Sequence, residues 1–346
     1  MTAVPMPTPV APAGDTKPAA FARLNRGYNS VFQPGQLSLG LVVPVGAYPH
    51  GPVPSMDGQD ARIQAAEELG YAAVWLRDVP FNVPSFGDAG QVYDPFVYLG
   101  YLAARTERIA LGMASIVLPL RHPAHVAKAA ASADVLSGGR LILGVASGDR
   151  PEEYPALAQP FESRGARFRQ SFDYLRRVAA PRPTFANDWG RVDGGMDLLP
   201  KPVAGRLPLL VTGGSRQDPA WTARNADGWM TYPRDPLYQA RVLLEWRNRL
   251  HEQGVGPKPV MQPLYLDLQD DPDAPVRPIH LGVRCGVHAL RALLRAYQSA
   301  GVHHVALNLR FNRADLEITL ARLSREVLPG FHQNQTQNIP SDATEG

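Results

Sequence analysis

The sequence predicts an α/β fold, a closed (β/α)8 TIM barrel with insertions in the loops of its C-terminal face. Short apolar runs alternate strictly with amphipathic segments, which gives eight strands and eight helices in 346 residues. Such alternation indicates parallel strands joined by right-handed helical crossovers. The alternative is an open doubly wound sheet, which would need a G-x-G-x-x-G turn after its first strand, where residues 44–48 are PVGAY. Eight units without that turn favour the closed barrel.

Each strand is predicted from an apolar run bounded by turn residues, beginning with LSLGLVVP. The strands are expected at residues 37–44, 71–76, 109–118, 140–146, 208–212, 228–231, 260–268 and 303–309. Each helix is predicted from apolar residues at helical spacing, with Asp57, Asp94-Pro95 and His122-Pro123 as starting signals. The helices are expected at residues 57–69, 96–105, 124–136, 164–179, 219–225, 236–253, 287–300 and 313–327.

Composition excludes several classes of protein. The 35 basic residues exceed the 32 acidic ones by only three and form no basic run of five or more, so we expect no nucleic-acid partner. No apolar stretch approaches the ~18–20 residues of a membrane span, and no residue spacing indicates a metal site. The single cysteine, Cys285, excludes an internal disulfide framework and suits a cytoplasmic protein.

Both ends of the chain are expected to lie outside the barrel domain, which we place at residues 31–332. The N-terminal stretch is rich in proline and lacks the apolar core of a secretory signal. Residues 1–30 and residues 333–346 have too little apolar surface to offset the entropy of ordering. We therefore predict a disordered N-terminal arm and a disordered C-terminal tail.

In such a barrel, the active-site residues are expected on the loops that follow the C-terminal ends of the strands. The third and fourth strands end in GMASIVLP and GVASGDR. The fifth is followed by Gly213-Gly214-Ser215 and a helix, so backbone N–H groups, a hydroxyl and the helix dipole can converge on a phosphate there. The alternative is a plain tight turn.

Several motifs, in the same order along the chain, resemble those of the bacterial-luciferase-like flavin-dependent oxidoreductases, the luciferase-like monooxygenase family. They are TERIALG at residues 106–112, IVLP at 116–119, HP at 122–123, DVLSGGR at 134–140, GVASG at 144–148, GGS at 213–215 and AGV at 300–302. The resemblance spans most of residues 37–330. It implies a (β/α)8 barrel that binds a flavin at its C-terminal face, usually as a dimer.

The resemblance also implies the cofactor-binding residues. They are Asp78, Ala114, Ser115, Ala146, Ser147, Gly148, Gly213, Gly214, Ser215 and Arg216. The bond between Ala114 and Ser115 matches a non-proline cis peptide that lies against the flavin ring. Luciferase carries an arginine to the phosphate where this chain has Ser147, so positive charge must come from elsewhere, with Arg216 and Arg150 as the candidates.

Acid–base residues are less clearly indicated. Asp78 accepts a hydrogen bond from the flavin pyrimidine, orients its neighbours, or is a solvated loop carboxylate. Luciferase-type members place a catalytic histidine where this chain has Val79, so no catalytic residue is predicted. His122 either reaches the site or caps its helix, and Arg284 either binds an anionic group or lies on the surface. His303-His304 falls at the start of the eighth strand, where a structural role is expected.

Two further features concern the pocket and the assembly. We expect Phe81, Phe86, Tyr93, Trp229 and Tyr232 to line an apolar cavity, with core packing as the alternative for Trp229. The alanine-rich helix at 124–136 is expected to be buried in a homodimer together with the helix at 96–105. The alternative is that its small residues pack onto their own barrel.

We expect a monooxygenase that uses reduced FMN and dioxygen on a small organic substrate, with reduced FMN supplied by a separate flavin reductase. The alternatives are a dehydrogenase that uses the deazaflavin coenzyme F420 and a flavin-binding protein without turnover. Coenzyme F420 carries a long acidic tail that needs a basic channel beyond the phosphate loop. The sequence after Ser215 is RQDP, with no second cluster of Arg or Lys close by, which favours FMN.

Overall fold

The computed structural model describes residues 20–331, and the eight predicted barrel strands all form within that range. Its strands are β1 (Ser38–Val42), β2 (Ala73–Leu76), β3 (Ala110–Val117), β4 (Leu141–Ala146), β5 (Thr184–Asn187), β6 (Gly190–Asp193), β7 (Leu209–Thr212), β8 (Gly228–Met230), β9 (Val260–Leu268), β10 (Arg277–Ile279), β11 (Gly282–Cys285) and β12 (His304–Asn308).

Eight of these strands close a parallel barrel in the order β1-β2-β3-β4-β7-β8-β9-β12. The barrel closes because β12 pairs back with β1, with Ser38 opposite His304. All neighbouring barrel strands are parallel. The predicted (β/α)8 barrel is therefore confirmed, and the carboxyl ends of its strands meet at one face, which we call the mouth.

The helices that surround the barrel also follow the predicted order. The described helices are α1 (Arg26–Val31), α2 (Gln59–Glu68), α3 (Pro95–Arg105), α4 (Pro123–Leu136), α5 (Glu153–Ala156), α6 (Arg164–Val178), α7 (Pro219–Asn225), α8 (Pro236–Glu252), α9 (Val287–Ala300) and α10 (Leu316–Glu326). Asp94 and His122 cap α3 and α4 through their side chains, as predicted. The predicted cap at Asp57 is wrong, because Gly58 is the N-cap of α2 and Asp57 accepts a hydrogen bond from Ser55 instead.

Insertions lie on both sides of the barrel. At the mouth, β9 is followed by the hairpin of β10 and β11, and β11 pairs in parallel with β9. The segments at residues 77–94, after β2, and 147–163, after β4, also belong to the mouth. A second hairpin, β5 with β6, interrupts the connection from α6 to β7 and was not predicted. This hairpin packs along α6, where Asn187 donates to the Gln170 carbonyl.

Regular structure is present before the predicted start of the barrel domain. Residues 20–30 were assigned to the disordered arm, yet they include most of α1, which is capped by Asn25. Tyr28 is buried, and its hydroxyl donates to the Asp227 carbonyl at 2.8 Å. A Cβ on Gly27 would lie 2.3 Å from the Arg140 carbonyl oxygen, so only glycine fits this contact. The rest of the predicted arm and the predicted tail lie outside the described residues.

Candidate active site

The centre of the mouth is built by the ends of three strands. The peptide bond between Ala114 and Ser115 is cis, as predicted, and the pairing of β3 with β4 shifts register there. The hydroxyl of Ser115 is hydrogen-bonded to the hydroxyl of Thr212 at the end of β7. Thr212 in turn lies 3.2 Å from the sulfur of Met230 at the end of β8. The sequence motifs pointed to the β3 end but not to Thr212 or Met230.

The loop at residues 213–216 follows β7 and presents free backbone donors. Gly213, Ser215 and Arg216 all have positive φ, of 54°, 42° and 59°. Within residues 20–331 the N–H groups of Gly214, Ser215 and Arg216 have no acceptor. The Arg216 side chain is exposed and has no carboxylate within ion-pair distance in the same range. Successive free N–H groups in such a turn form an anion-binding concavity.

The other two groups expected to contribute to phosphate binding, the Ser215 hydroxyl and the N-terminus of α7, form hydrogen bonds within the protein. The Ser215 hydroxyl donates to the Thr212 carbonyl at 2.7 Å, which holds the loop in place. The N-terminus of α7 is capped by Asp218, whose carboxylate accepts from Ala220 N at 2.7 Å and from Trp221 N. In this structure the Ser215 hydroxyl and the start of α7 therefore have partners within the protein. The unpaired backbone N–H groups of the loop are the donors that remain open.

Trp229 supports this loop from behind. Its indole N–H donates to the Gly213 carbonyl at 2.9 Å, and its ring packs on Trp246 of α8 at 5.3 Å between centroids. The packing alternative for Trp229 is thus confirmed. Tyr232 lies on the other side, with a ring carbon 3.5 Å from the position of a Cβ on Gly213.

The aromatic residues expected to line one cavity do not come together. Phe86 lies beneath the guanidinium of Arg150, whose central carbon is 4.1 Å from the ring centroid. Tyr93 packs edge-on against Tyr98 of α3, in a surface groove between α2 and α3. Phe81 is exposed. Phe86 and Tyr93 therefore have separate packing partners, and Tyr93 lines the groove between α2 and α3 rather than a cavity shared by all five residues.

The end of β4 forms a second wall of the mouth. The Ser147 carbonyl accepts a hydrogen bond from the hydroxyl of Tyr154, and burial raises the pKa of this phenol to about 12. Gly148 has φ +74°, and a Cβ there would lie 2.7 Å from a methyl carbon of Val117. Only glycine therefore fits at residue 148. Ala146, half-buried, is the last residue of β4.

The carboxylate of Asp78 is hydrogen-bonded within the protein. Its carboxylate accepts from Arg121 at 2.7 and 3.0 Å and from the Val117 N–H at 3.1 Å. The side chain is 1% exposed. These contacts fix the end of β3 to the end of β2 and favour the orienting role over a hydrogen bond to a flavin.

Two arginines considered for the phosphate are also paired. Arg150 is buried and donates to the Asp88 carbonyl at 2.8 Å. Arg284 is 2.6 Å from the buried carboxylate of Asp267. Arg284 is neutralised by its carboxylate partner and Arg150 is buried, so Arg216 is the exposed arginine of the three.

Asp88 ties the segment at 77–94 across the mouth. Arg77 and Arg310 reach its carboxylate at 2.8 and 3.0 Å, and the hydroxyls of Tyr48 and Tyr265 lie at 3.3 and 3.5 Å. Burial opposes ionisation of Asp88, but the charge and hydrogen bond of Arg77, the Gly90 N–H and the charge of Arg310 together hold its pKa below the usual value. This cluster was not predicted, since its members come from four strand ends and one loop.

Glu153 of α5 is a second buried carboxyl near the mouth. Burial raises its pKa to about 7 although Arg150 lies 3.8 Å away. One oxygen of Glu153 and one terminal nitrogen of Arg150 have no hydrogen-bond partner within residues 20–331. The pair is therefore poorly solvated, and Glu153 changes charge near neutral pH.

Comparison with known proteins assigns the chain to a family. A sequence model of the luciferase-like monooxygenases matches residues 37–326, which is most of the chain and all of the barrel. The chain belongs to the luciferase-like monooxygenase family. It is therefore an oxidoreductase of a family whose members use FMN or coenzyme F420.

Among curated sequences and solved structures, the chain is similar to the following proteins. A relative from Mycobacterium tuberculosis, an uncharacterized protein, is 32% identical over 212 residues, 58% of this chain and 73% of the relative. An F420-dependent secondary alcohol dehydrogenase in complex with an F420-acetone adduct superposes with a TM-score of 0.70 at 16% identity, covering 85% of this chain and 99% of that one.

A second solved structure is the oxygenating constituent of 3,6-diketocamphane monooxygenase from Pseudomonas putida, in complex with FMN. It superposes with a TM-score of 0.64 at 13% identity, covering 85% of this chain and 98% of that chain. At these identities the two likenesses concern the fold alone.

The histidines singled out in the sequence have structural partners. His122 accepts from Ala124 N through Nδ1 at 3.2 Å, and its Nε2 is 3.1 Å from the Trp189 carbonyl, which confirms the capping alternative. His304 accepts from the Trp75 indole N–H at 2.8 Å inside the barrel. Across residues 20–331, no helix is long and apolar enough to span a bilayer. In the same range no group of three or more potential ligands is arranged to hold a metal ion.

Proposed function

We propose that this member of the family is a monooxygenase that binds reduced FMN and uses dioxygen to oxygenate a small organic substrate. The observation that carries the proposal is the loop at 213–216, whose three unpaired N–H groups and Arg216 side chain lie at the mouth beside Thr212 and Ser115. Reduced FMN supplies the electrons for activating dioxygen, and the protein binds it, orients the substrate and excludes water.

The residues of the mouth fit a phosphorylated flavin. No atom lies within 4 Å of the position of a Cβ on Gly214, so there is open space above the loop. Ala114, Ser115 and Ala146 offer a surface of small side chains beside it. We also propose a separate flavin reductase as the source of reduced FMN, because the chain lacks a dinucleotide-binding turn, and a cytoplasmic location.

Coenzyme F420 is the second candidate, and one observation favours it. Arg164, Arg167 and Arg169 lie on the first turns of α6, whose Gly165 contacts Arg216. The sequence after Ser215 contains no basic cluster, but a segment distant in sequence supplies one beside the loop. These arginines precede the loop by about fifty residues, so the sequence after Ser215 does not show them. An acidic tail would have basic partners here.

The experiment that tests the proposed function compares the two cofactors and their reaction with dioxygen. Fluorescence titration gives the dissociation constants of FMN and coenzyme F420. Anaerobically reduced FMN bound to the protein is then mixed with oxygenated buffer in a stopped-flow instrument. We expect tighter binding of FMN and reoxidation kinetics distinct from those of free reduced FMN. Reoxidation at the rate of free FMN, together with tight binding and turnover of coenzyme F420, contradicts the monooxygenase proposal.

We further propose a homodimer that uses α3, one of the two helices of the predicted face, more than α4. The small residues of α4, among them Ala127, Ala130 and Ala131, are buried against their own barrel. Exposed apolar side chains lie on the neighbouring helix α3, where Val97 is 73% and Tyr101 47% exposed, and at the end of α4, where Leu136 is 70% exposed. The alternative of self-packing thus holds for α4, and α3 is the more suitable helix for a partner.

A further inference from the structure

A short segment after β2 passes over the centre of the mouth. Arg150 follows β4 and donates to the Asp88 carbonyl at 2.8 Å, whereas Arg310 follows β12 and lies 3.0 Å from the Asp88 carboxylate. Strands β4 and β12 are four steps apart in the ring of eight, so the two arginines reach Asp88 from opposite sides of the barrel. We call residues 84–90 the lid.

The lid has an exposed outer part, a buried inner part and two fixed ends. Residues 84–87 are exposed, whereas residues 88–90 are buried. Val83, directly before the lid, is buried. Directly after it, the Gln91 side chain is hydrogen-bonded to both the N–H and the carbonyl of Arg77 at the end of β2. Any opening is therefore confined to the residues between these ends.

Polar contacts hold the inner part of the lid. The buried carboxylate of Asp88 is shared between the guanidinium groups of Arg77 and Arg310, at 2.8 and 3.0 Å. The Ala89 N–H donates to the Pro52 carbonyl, in the loop after β1, at 2.8 Å. When such contacts break, water solvates the charged and amide groups, so opening costs less than the exposure of an apolar surface. The lid therefore has the properties of an element that opens locally while the barrel stays folded.

We propose that the lid closes the mouth, that Asp88 is its latch, and that FMN enters and leaves only when the latch is open. The proposal rests on the proposed function for the identity of the ligand, whereas the lid is defined by contacts within the chain. A closed lid keeps water out of the mouth, and it slows ligand exchange in proportion to the fraction of molecules that are open. A latch changes the rates of entry and exit together, whereas a binding residue changes affinity.

Asp88→Asn tests the latch. Asparagine keeps an acceptor oxygen but loses the charge that two arginines share, so the closed lid is weakened. We expect the rate constants for FMN association and dissociation, measured by stopped-flow fluorescence, each to rise at least about tenfold, the size of one charge-assisted hydrogen bond. The dissociation constant should change by less than about threefold. The matched control is Asp227→Asn, because Asp227 is equally buried and pairs with two arginines, yet lies before β8 at the opposite end of the barrel.

A glycine variant weakens the closed lid by a different route. Gly87 has φ +76°, and no atom lies within 4 Å of the position of a Cβ there, so Gly87→Ala adds backbone strain without a clash. Opening releases the strain, so both rate constants should rise at least about threefold. Gly254→Ala is the control, because Gly254 has φ +63° and equally empty surroundings between α8 and β9. Circular dichroism confirms folding. Rates that neither lid variant changes, or faster dissociation alone with lost affinity, overturn the proposal.

Hydrogen–deuterium exchange tests the lid without a ligand. The Ala89 N–H is the reporter, because its acceptor lies outside the lid and is lost when the lid lifts. In the wild type it should exchange faster than the N–H groups of β1, and at least about tenfold faster still in Asp88→Asn but not in Asp227→Asn. Exchange of the Ala89 N–H at the rate of β1 overturns the lid.

The two experiments keep the two proposals apart. Tight FMN binding with rates that the lid variants leave unchanged overturns the lid but not the proposed function. A protein that shows the expected exchange of the Ala89 N–H yet binds no FMN contradicts the proposed function and supports the lid, whose ligand is then another molecule.

Discussion

At the scale of the residue, the mouth contains two kinds of polar group. Some already have hydrogen-bond partners in the protein, and others have none among the described residues. The Asp78 carboxylate holds Arg121, and the Ser215 hydroxyl holds the carbonyl of its own loop. Gly214 differs, because its N–H has no acceptor within residues 20–331 and the space around it is empty. A buried group with satisfied hydrogen bonds gains little from a ligand. The unpaired N–H of Gly214 is therefore the group that is available to bind a ligand.

Replacing Gly214 with valine should weaken FMN binding at least about tenfold, or ~1.4 kcal/mol. The side chain would occupy the open space through which a phosphate approaches the backbone, without a clash in the unliganded protein. Gly256→Val is the control, because that glycine also has empty surroundings and lies before β9, at the opposite end of the barrel. Fluorescence titration measures both. Unchanged affinity in a folded Gly214→Val protein would remove the loop from the site.

Glu153 makes stability depend on pH. Because burial raises its pKa to about 7, the native state holds this proton more tightly than the unfolded chain does. The stabilisation from the bound proton is complete in acid and is lost as the pH rises through about 7. Glu153→Gln is neutral throughout, so its stability relative to wild type should rise between about pH 5 and pH 8, by at most ~3 kcal/mol.

Urea unfolding at the two pH values measures this difference. Glu152→Gln, at the exposed neighbouring residue, controls for the loss of one negative charge. If the difference between Glu153→Gln and wild type were the same at both pH values, Glu153 would be ionised throughout, and the attraction of Arg150 would outweigh burial.

At the scale of the element, the long periodic segments were predictable and the short ones were not. Every barrel strand carries an apolar run, and α3 and α4 begin with capping residues followed by proline, so sequence and structure agree. Helix α1 has six residues and the strands of both hairpins have three or four, too few for a period to show. Their formation depends on tertiary contacts, such as those of Gly27 and Tyr28.

Helix α4 provides a test of packing at this scale. Ala130 is fully buried where α4 meets its own barrel. Ala130→Leu should therefore lower the free energy of unfolding by about 1–3 kcal/mol, because extra methyl groups in a filled core force neighbours apart. Ala129→Leu, at a less buried residue of the same helix, is the control. Urea denaturation gives both values, and equal stabilities would mean that the face of Ala130 is open to a partner.

At the scale of the whole molecule, the barrel explains which parts of the site the sequence could reveal. Parallel strands bring their carboxyl ends together, so motifs after β3, β4 and β7 were expected to meet, and Ser115 does contact Thr212. Arg164 and Arg167 escaped notice because a helix places them, and only packing of α6 against the loop at 213–216 brings them near. Sequence motifs identify strand ends more readily than contacts between a helix and a loop.

The oligomeric state depends on an apolar groove at the surface of the molecule. A groove of about 460 Å³ runs between α2 and α3, lined by Met56, Tyr93, Val97, Tyr98 and Tyr101 among others. Apolar surface collected in one place, with Val97 73% exposed, is typical of an interface rather than of a monomer's surface. A second copy of the chain is the occupant we propose, through the same face on both subunits, as in a two-fold dimer.

Sedimentation velocity at micromolar concentration tests this assembly. The wild type should sediment at twice the 37.7 kDa mass of one chain. Val97→Asp should shift it to the monomer, because the dimer would bury an unpaired carboxylate. Leu237→Asp on α8 introduces the same charge at a residue that is 78% exposed and should leave the dimer intact. A wild-type protein found only as the 37.7 kDa species excludes a stable dimer, since such interfaces seldom dissociate at that concentration.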